Sequence, residues 1–131
     1  MTAISTAISA LLTGLSVHEI ECADDSPTYP YVVLSGLADN RMGDILTAAK
    51  ADIHDYLHVT HTGLTADSIN VVRTSTRSKL DGAKPTVTGW RVRLRRFDAT
   101  DIMPDEDVTI PGVGHVLYQV DSYTVDATPQ S

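Results

Sequence analysis

The feature that most constrains this chain is the alternation between Thr86 and Phe97. Thr88, Trp90, Val92 and Leu94 fall on one side of an extended backbone, and Val87, Arg91, Arg93 and Arg95 on the other. A period of two over this length predicts a strand with one apolar face against a core and one basic face away from it. The three guanidiniums Arg91, Arg93 and Arg95 stand about 7 Å apart and repel one another unless solvent or carboxylates lie against them. Two arrangements satisfy that row: a solvated outer face with cross-strand partners, or an interface with another subunit.

Carboxylates are plentiful but lie elsewhere. Seventeen acids against ten bases give a net charge of −7, and the first forty residues hold Glu19, Glu21, Asp24, Asp25 and Asp39 with no Lys or Arg. A second acidic group, Asp101, Asp105, Glu106 and Asp107, follows the basic strand. With a pI near 4.9, DNA affinity is not the main business of a monomer. At 131 residues and 42% hydrophobic content, the chain is expected to form one domain over 1–131. It has no apolar run approaching the ~20 residues of a membrane helix. Cys22 is alone, which excludes an internal disulfide or a thiolate zinc site and suits a reducing compartment. Met1 to Leu15 is apolar but lacks the basic start of a signal peptide.

Elsewhere the pattern predicts further elements. Ile4, Ala7, Ile8, Leu11 and Leu12 space out a helix over Ala3 to Leu12, stopped by Gly14. Val17 to Glu21 alternates weakly, and a strand from Tyr29 to Leu37 begins at Pro30, which belongs at an edge. Ala38 to Ala49 has no period. From Ala51 a strand puts Ile53, Leu57 and Val59 on one face and His54, Tyr56, His58 and Thr60 on the other, with Asp55 breaking the apolar face. Thr65 caps the longest helix, carried by Ile69, Val72, Thr76 and Leu80 and ended by Gly82. Asp98 to Pro111 reads as a long acidic excursion tipped by the turn Pro111-Gly112-Val113-Gly114. His115 to Val125 is a closing strand, in which Val116, Tyr118 and Val120 alternate with Leu117, Gln119 and Asp121, and Thr128 to Ser131 is a frayed end. The order predicts an α+β domain: an antiparallel or mixed twisted sheet with two main helices packed on one face.

Catalytic signatures are missing from the sequence. There is no G-x-S-x-G, H-E-x-x-H, G-x-x-x-x-G-K-S/T or G-x-G-x-x-G, and Gly112-Val113-Gly114 has no third glycine and no following helix. His54 and His58 share a strand face but lie about 13 Å apart, too far to hold one ion, and His61 points to the opposite face. No metal or cofactor is expected, and the histidines read as surface residues of a sheet.

The N-terminal helix, the run Ser26-Pro-Thr-Tyr-Pro-Tyr-Val-Val-Leu34, the strand Ala51-Asp-Ile-His-Asp-Tyr-Leu-His-Val-Thr60 leading into a helix that ends Lys79-Leu80-Asp81-Gly82, and two late strands together resemble the tail terminator proteins of long-tailed phages. The resemblance spans most of the chain and departs from the commoner pattern in the excursion from Asp98 to Pro111. It implies a small, non-enzymatic α+β subunit in the tail-neck region of a virion, assembled in the host cytoplasm. Such subunits form a hexameric ring that caps the tail tube, ends tube polymerisation and docks to the head connector or stopper protein. Arg91, Arg93 and Arg95 would meet Asp101, Asp105, Glu106 and Asp107 across subunits. A ring of six such chains carries about −42, so DNA would pass through the lumen without adhering. The alternative within the same class is a head-to-tail stopper or adaptor. The alternative from another class is a small ligand-binding or hydrolytic domain built on His54, His58 and Asp55.

Overall fold

The computed structural model of the chain describes residues 3–19, 28–36 and 53–129. Within them the elements are α1 (Ala3–Leu11), β1 (Val17–Glu19), β2 (Tyr31–Gly36), β3 (Ile53–Gly63), α2 (Ala66–Leu80), β4 (Thr86–Val87), β5 (Trp90–Ala99), β6 (Met103–Ile110) and β7 (Gly114–Pro129). All strands join one seven-stranded sheet in the order β1-β2-β3-β7-β5-β4, with β6 also paired to β7. β1 and β2 pair parallel, and the other described strand pairs are antiparallel.

β7 organises the rest. Along one edge it pairs with β3 from Leu117 to Ala127; along the other, β5 takes Asp121 to Pro129 and β6 takes Gly114 to Tyr118. Thr100 bridges the gap, its N–H donating to the Val120 carbonyl at 2.9 Å and its hydroxyl accepting from the Val120 N–H at 3.0 Å. β5 and β6 are therefore two lengths of a single arm, and Trp90 to Pro129 is one long hairpin turned at 111–113. The register of β3 stops at Leu117, so among the described residues Gly114 to Val116 pair with β6 alone, and the tip of the hairpin projects as a two-stranded ribbon.

The core lies on one face of the sheet. Val32 and Leu34 of β2, Leu57 and Val59 of β3, Val92 and Leu94 of β5, and Tyr123, Val125 and Ala127 of β7 are buried there with Ile8 and Leu12 from the N-terminal segment and Val72 and Leu80 of α2. α2 begins with a capping box: the Thr65 hydroxyl accepts from the Ser68 N–H at 3.1 Å, and the Ser68 hydroxyl accepts in return from the Thr65 N–H. Gly63 lets this first turn approach the end of β3, since a Cβ there would stand 2.7 Å from Ser68 Oγ. The helix stops at Leu80, and Gly82 takes the left-handed conformation that releases the chain toward β4.

These observations correct the expected fold class. The described residues are mostly β, their sheet curls into a half-barrel, and the two helices among them are short, so this is not a twisted sheet with two main helices packed on one face. The physical reason lies in the stretch Asp98 to Pro111. It is not an excursion but the end of β5 plus β6, and its register shifts, between Arg96 and Asp98 and between Asp105 and Thr109, bend the long strands. The C-terminal strand likewise runs on to Pro129, past the expected frayed start at Thr128. Thr88-Gly89 turns the chain between β4 and β5, with Gly89 at φ +82°, so Val87 is buried opposite Trp90 instead of sharing the arginine face. Glu21, Cys22, Asp24, Asp25, Asp39 and the segment Ala38 to Ala49 lie outside the described residues.

Leu57 sits fully buried in β3, between β2 and β7. Leu57→Ala is expected to cost about 2–5 kcal/mol in urea unfolding, against less than about 0.5 kcal/mol for Val113→Ala on the exposed turn.

Candidate functional site

The alternation of β7 carries an unexpected phase. Gln119 and Asp121 point inward with Tyr123, Val125 and Ala127, whereas Tyr118 and Val120 are only half-buried. Two polar side chains on a core face need partners, and β3 and α2 supply them. His61, two residues beyond Val59 on the inner face of β3, is fully buried, which corrects its expected place on the surface. Its Nδ1 lies 2.8 Å from Gln119 Oε1 and its Nε2 2.5 Å from Thr76 Oγ1 on the buried stripe of α2. Gln119 Nε2 donates to the carbonyls of Thr100 and Val120 and, at 2.8 Å, to Asp121 Oδ1. Arg77, one residue past Thr76, closes the cluster with a two-pronged pair to Asp121, both contacts at 2.8 Å.

This network fixes its own protons. The neighbours of Gln119 Nε2 are all acceptors, so the amide nitrogen must face them and its oxygen must face His61. His61 Nδ1 therefore carries a hydrogen. Burial lowers the His61 pKa below 6.5, which favours the neutral ring, and Nε2 faces the Thr76 hydroxyl, whose single hydrogen is shared between Nε2 and the Arg73 carbonyl 3.0 Å away. Burial pushes the Asp121 carboxyl up, but the hydrogen bonds from Arg77 and Gln119 outweigh it and hold the pKa below the ordinary value. Both nitrogens of His61 and both oxygens of Asp121 are engaged internally, so the cluster braces α2 against β3 and β7 and leaves neither group free for a substrate. At the same end, the buried Tyr123 hydroxyl has no partner among the described residues, and burial raises its pKa.

The opposite face of the sheet holds the residues singled out from sequence. Arg91, Arg93 and Arg95 are exposed, and among the described residues none of the three makes an ion pair. Arg93 stands across from Asp126, but the Asp126 carboxylate is held by His54 Nδ1 from the other side at 2.6 Å. His58 Nδ1 meets Ser122 Oγ at 3.0 Å. His54–Asp126 and His58–Ser122 are successive cross-strand pairs on an open sheet face. Among the described residues no third group is seen to orient His58, as activation of a serine would require. Tyr56 and Phe97 reach across β7 to within 5.6 Å of each other while remaining 55% and 54% exposed. Among the described residues no three His, Cys, Asp or Glu side chains gather around a point where an ion would sit.

Asp101 lies in the link from β5 to β6, and Asp105, Glu106 and Asp107 lie on β6. Asp105 pairs with Val116 and Thr109 with His115, so one step on β7 is matched by four on β6. Glu106, Asp107 and Val108 form the bulge between those two pairs, a knuckle pinned by the Asp107 N–H donating to Asp105 Oδ1. The structure thus keeps the basic row and the acidic group apart. Sequence reasoning missed the His61–Gln119–Asp121–Arg77 cluster. Its legible half was the placing of His61 opposite His54 and His58 and of Thr76 on the buried stripe, whereas Arg77 and Asp121 meet over a long separation that no local spacing reports.

No known protein family matches this sequence, and comparison with curated proteins finds none similar to it.

Asp121 is fully buried, so Arg77→Ala strands its charge and is expected to cost about 3–5 kcal/mol, whereas Tyr123→Phe removes an unpaired hydroxyl and is expected to gain about 1 kcal/mol; urea unfolding measures both. The unfolded His61 binds a proton near pH 6.5 and the folded one resists it to lower pH, so its contribution to stability is complete above 6.5 and lost as pH falls below it. The stability difference between the wild type and His61→Gln should therefore shrink from pH 7.5 to pH 5, and a constant difference would contradict a neutral His61.

Proposed function

We propose that this chain is a non-enzymatic subunit of a head-to-tail ring that ends polymerisation of a phage tail tube and presents a docking surface to the head connector, as the resemblance to tail terminators implies. The observation that carries this reading is the separation of charge along the Trp90–Pro129 hairpin. Arg93 faces Asp126 and Asp105 faces Val116, ten residues apart on β7, or roughly 33 Å of strand. Arg93 and the Asp105–Asp107 knuckle are too distant to neutralise each other within one copy, since attraction between exposed charges is screened beyond about 8–10 Å, while Asp101 lies in the link between them. Two unlike, complementary ends on one molecule suit a heterologous contact, which closes into a ring when its rotation permits.

The remaining surface chemistry is consistent with assembly. The exposed Tyr56–Phe97 pair beside the arginine row has the composition of interface anchors, where aromatic residues and Arg dominate binding. The strongly acidic chain suits a lumen that DNA traverses without adhering.

Arg93→Glu is expected to weaken assembly at least tenfold while leaving the melting temperature within about 2 °C of the wild type, because the side chain is exposed and makes no ion pair among the described residues. Mixed with polymerising tail-tube protein, the wild type is expected to arrest growth and the variant to leave tubes lengthening, as seen by negative-stain electron microscopy. Tubes that grow unchecked in the presence of the wild-type chain would contradict the reading.

A further inference from the structure

The end of the sheet opposite the projecting tip carries a small depression of about 210 Å³ between the segment leading into β4 and the start of β5. Val87, Trp90 and Val92 lie at its base but are nearly buried, so the surface it offers is mixed, with the exposed Lys84, Thr86 and Arg91 around it. The volume falls below the ~300–1,000 Å³ of metabolite sites, but it accommodates one or two side chains of a protein partner. Two cations around a shallow mixed lining select a partner that brings carboxylates beside a small side chain.

The knuckle on β6 has that composition. Val108 is 40% exposed and directly follows Asp105, Glu106 and Asp107, and Val113 on the adjoining turn is 52% exposed. It sits on the two-stranded ribbon, an arrangement of marginal stability without something to rest on. Trp90 pairs with Pro129 and Asp105 with Val116, thirteen residues apart on β7, or roughly 43 Å of strand. A knuckle that far from the depression on the same hairpin fills it in another copy.

We infer that the acidic knuckle of β6 docks into the Lys84–Arg91 depression of the neighbouring copy, Val108 entering the floor and Asp105, Glu106 and Asp107 meeting the two cations. This rests on the ring reading above and assigns its subunit contact. Charge-assisted pairs around a dehydrated apolar anchor are the usual anatomy of an interface hot spot.

Two experiments on the full chain test it. In a Cys22→Ser background, Thr86→Cys combined with Val108→Cys should, on oxidation, give a ladder of covalent oligomers up to the full ring. Separately, Asp105→Lys with Asp107→Lys, or Lys84→Glu with Arg91→Glu, should each abolish assembly in sedimentation velocity without altering the melting temperature, and all four together should restore it. Rings that form without the ladder and ignore both charge reversals would overturn this contact while leaving the ring reading standing. A chain that stays monomeric with and without tail-tube protein would overturn both. Cross-linking to tube protein instead of to a second copy would assign the depression to a different partner and sink the proposal.

Discussion

The pairing of β7 along both of its edges is the constraint from which the rest of the structure follows. β3 on one side and the β5–β6 arm on the other hold it nearly end to end, so the inner face of β7 sets what the core contains. Toward its C-terminal end that face is Tyr123, Val125 and Ala127, and the core there is apolar. Toward its N-terminal end it is Gln119 and Asp121, and burial of those groups is tolerable only because His61, Thr76 and Arg77 arrive to saturate them. The seat of α2 on the sheet is thus specified by hydrogen bonds at one end and by packing of Val72 and Leu80 at the other.

Local period made much of this visible in the sequence. The alternation of Trp90 to Leu94, the stripe of Ile69, Val72, Thr76 and Leu80, the Thr65 cap and the two faces of β3 each arise within one element, where spacing alone decides which side chain turns inward. The fold class was not visible, because it depends on what Asp98 to Pro111 does. A strand with a bulge of three extra residues, carrying a proline and three acids, has no alternation to detect, and its extended form is imposed by β7. The inward phase of Gln119 and Asp121 was hidden for a related reason: hydropathy favours Tyr118 and Val120, and a tertiary ion pair with Arg77 overrides it.

The candidate site was legible in its residues but not in its arrangement. Arg91, Arg93 and Arg95 project from one face as their spacing requires, yet no local pattern says that the acids stand at the far end of the same hairpin. Charges set that far apart on one hairpin do not balance each other within one copy, and the proposed subunit contact builds on this. It also orders the energetics: the buried Arg77–Asp121 pair serves folding, while the exposed row and knuckle contribute little to the monomer and are free to serve association.

Whether opposite charges at the two ends of one hairpin join separate copies of the chain is measured by the mass of the purified protein in sedimentation velocity as ionic strength is raised. A closed oligomer of a single size at low salt should dissociate to monomer as the charges are screened. A monomer at every ionic strength, or an oligomer indifferent to salt, would contradict joining by charge.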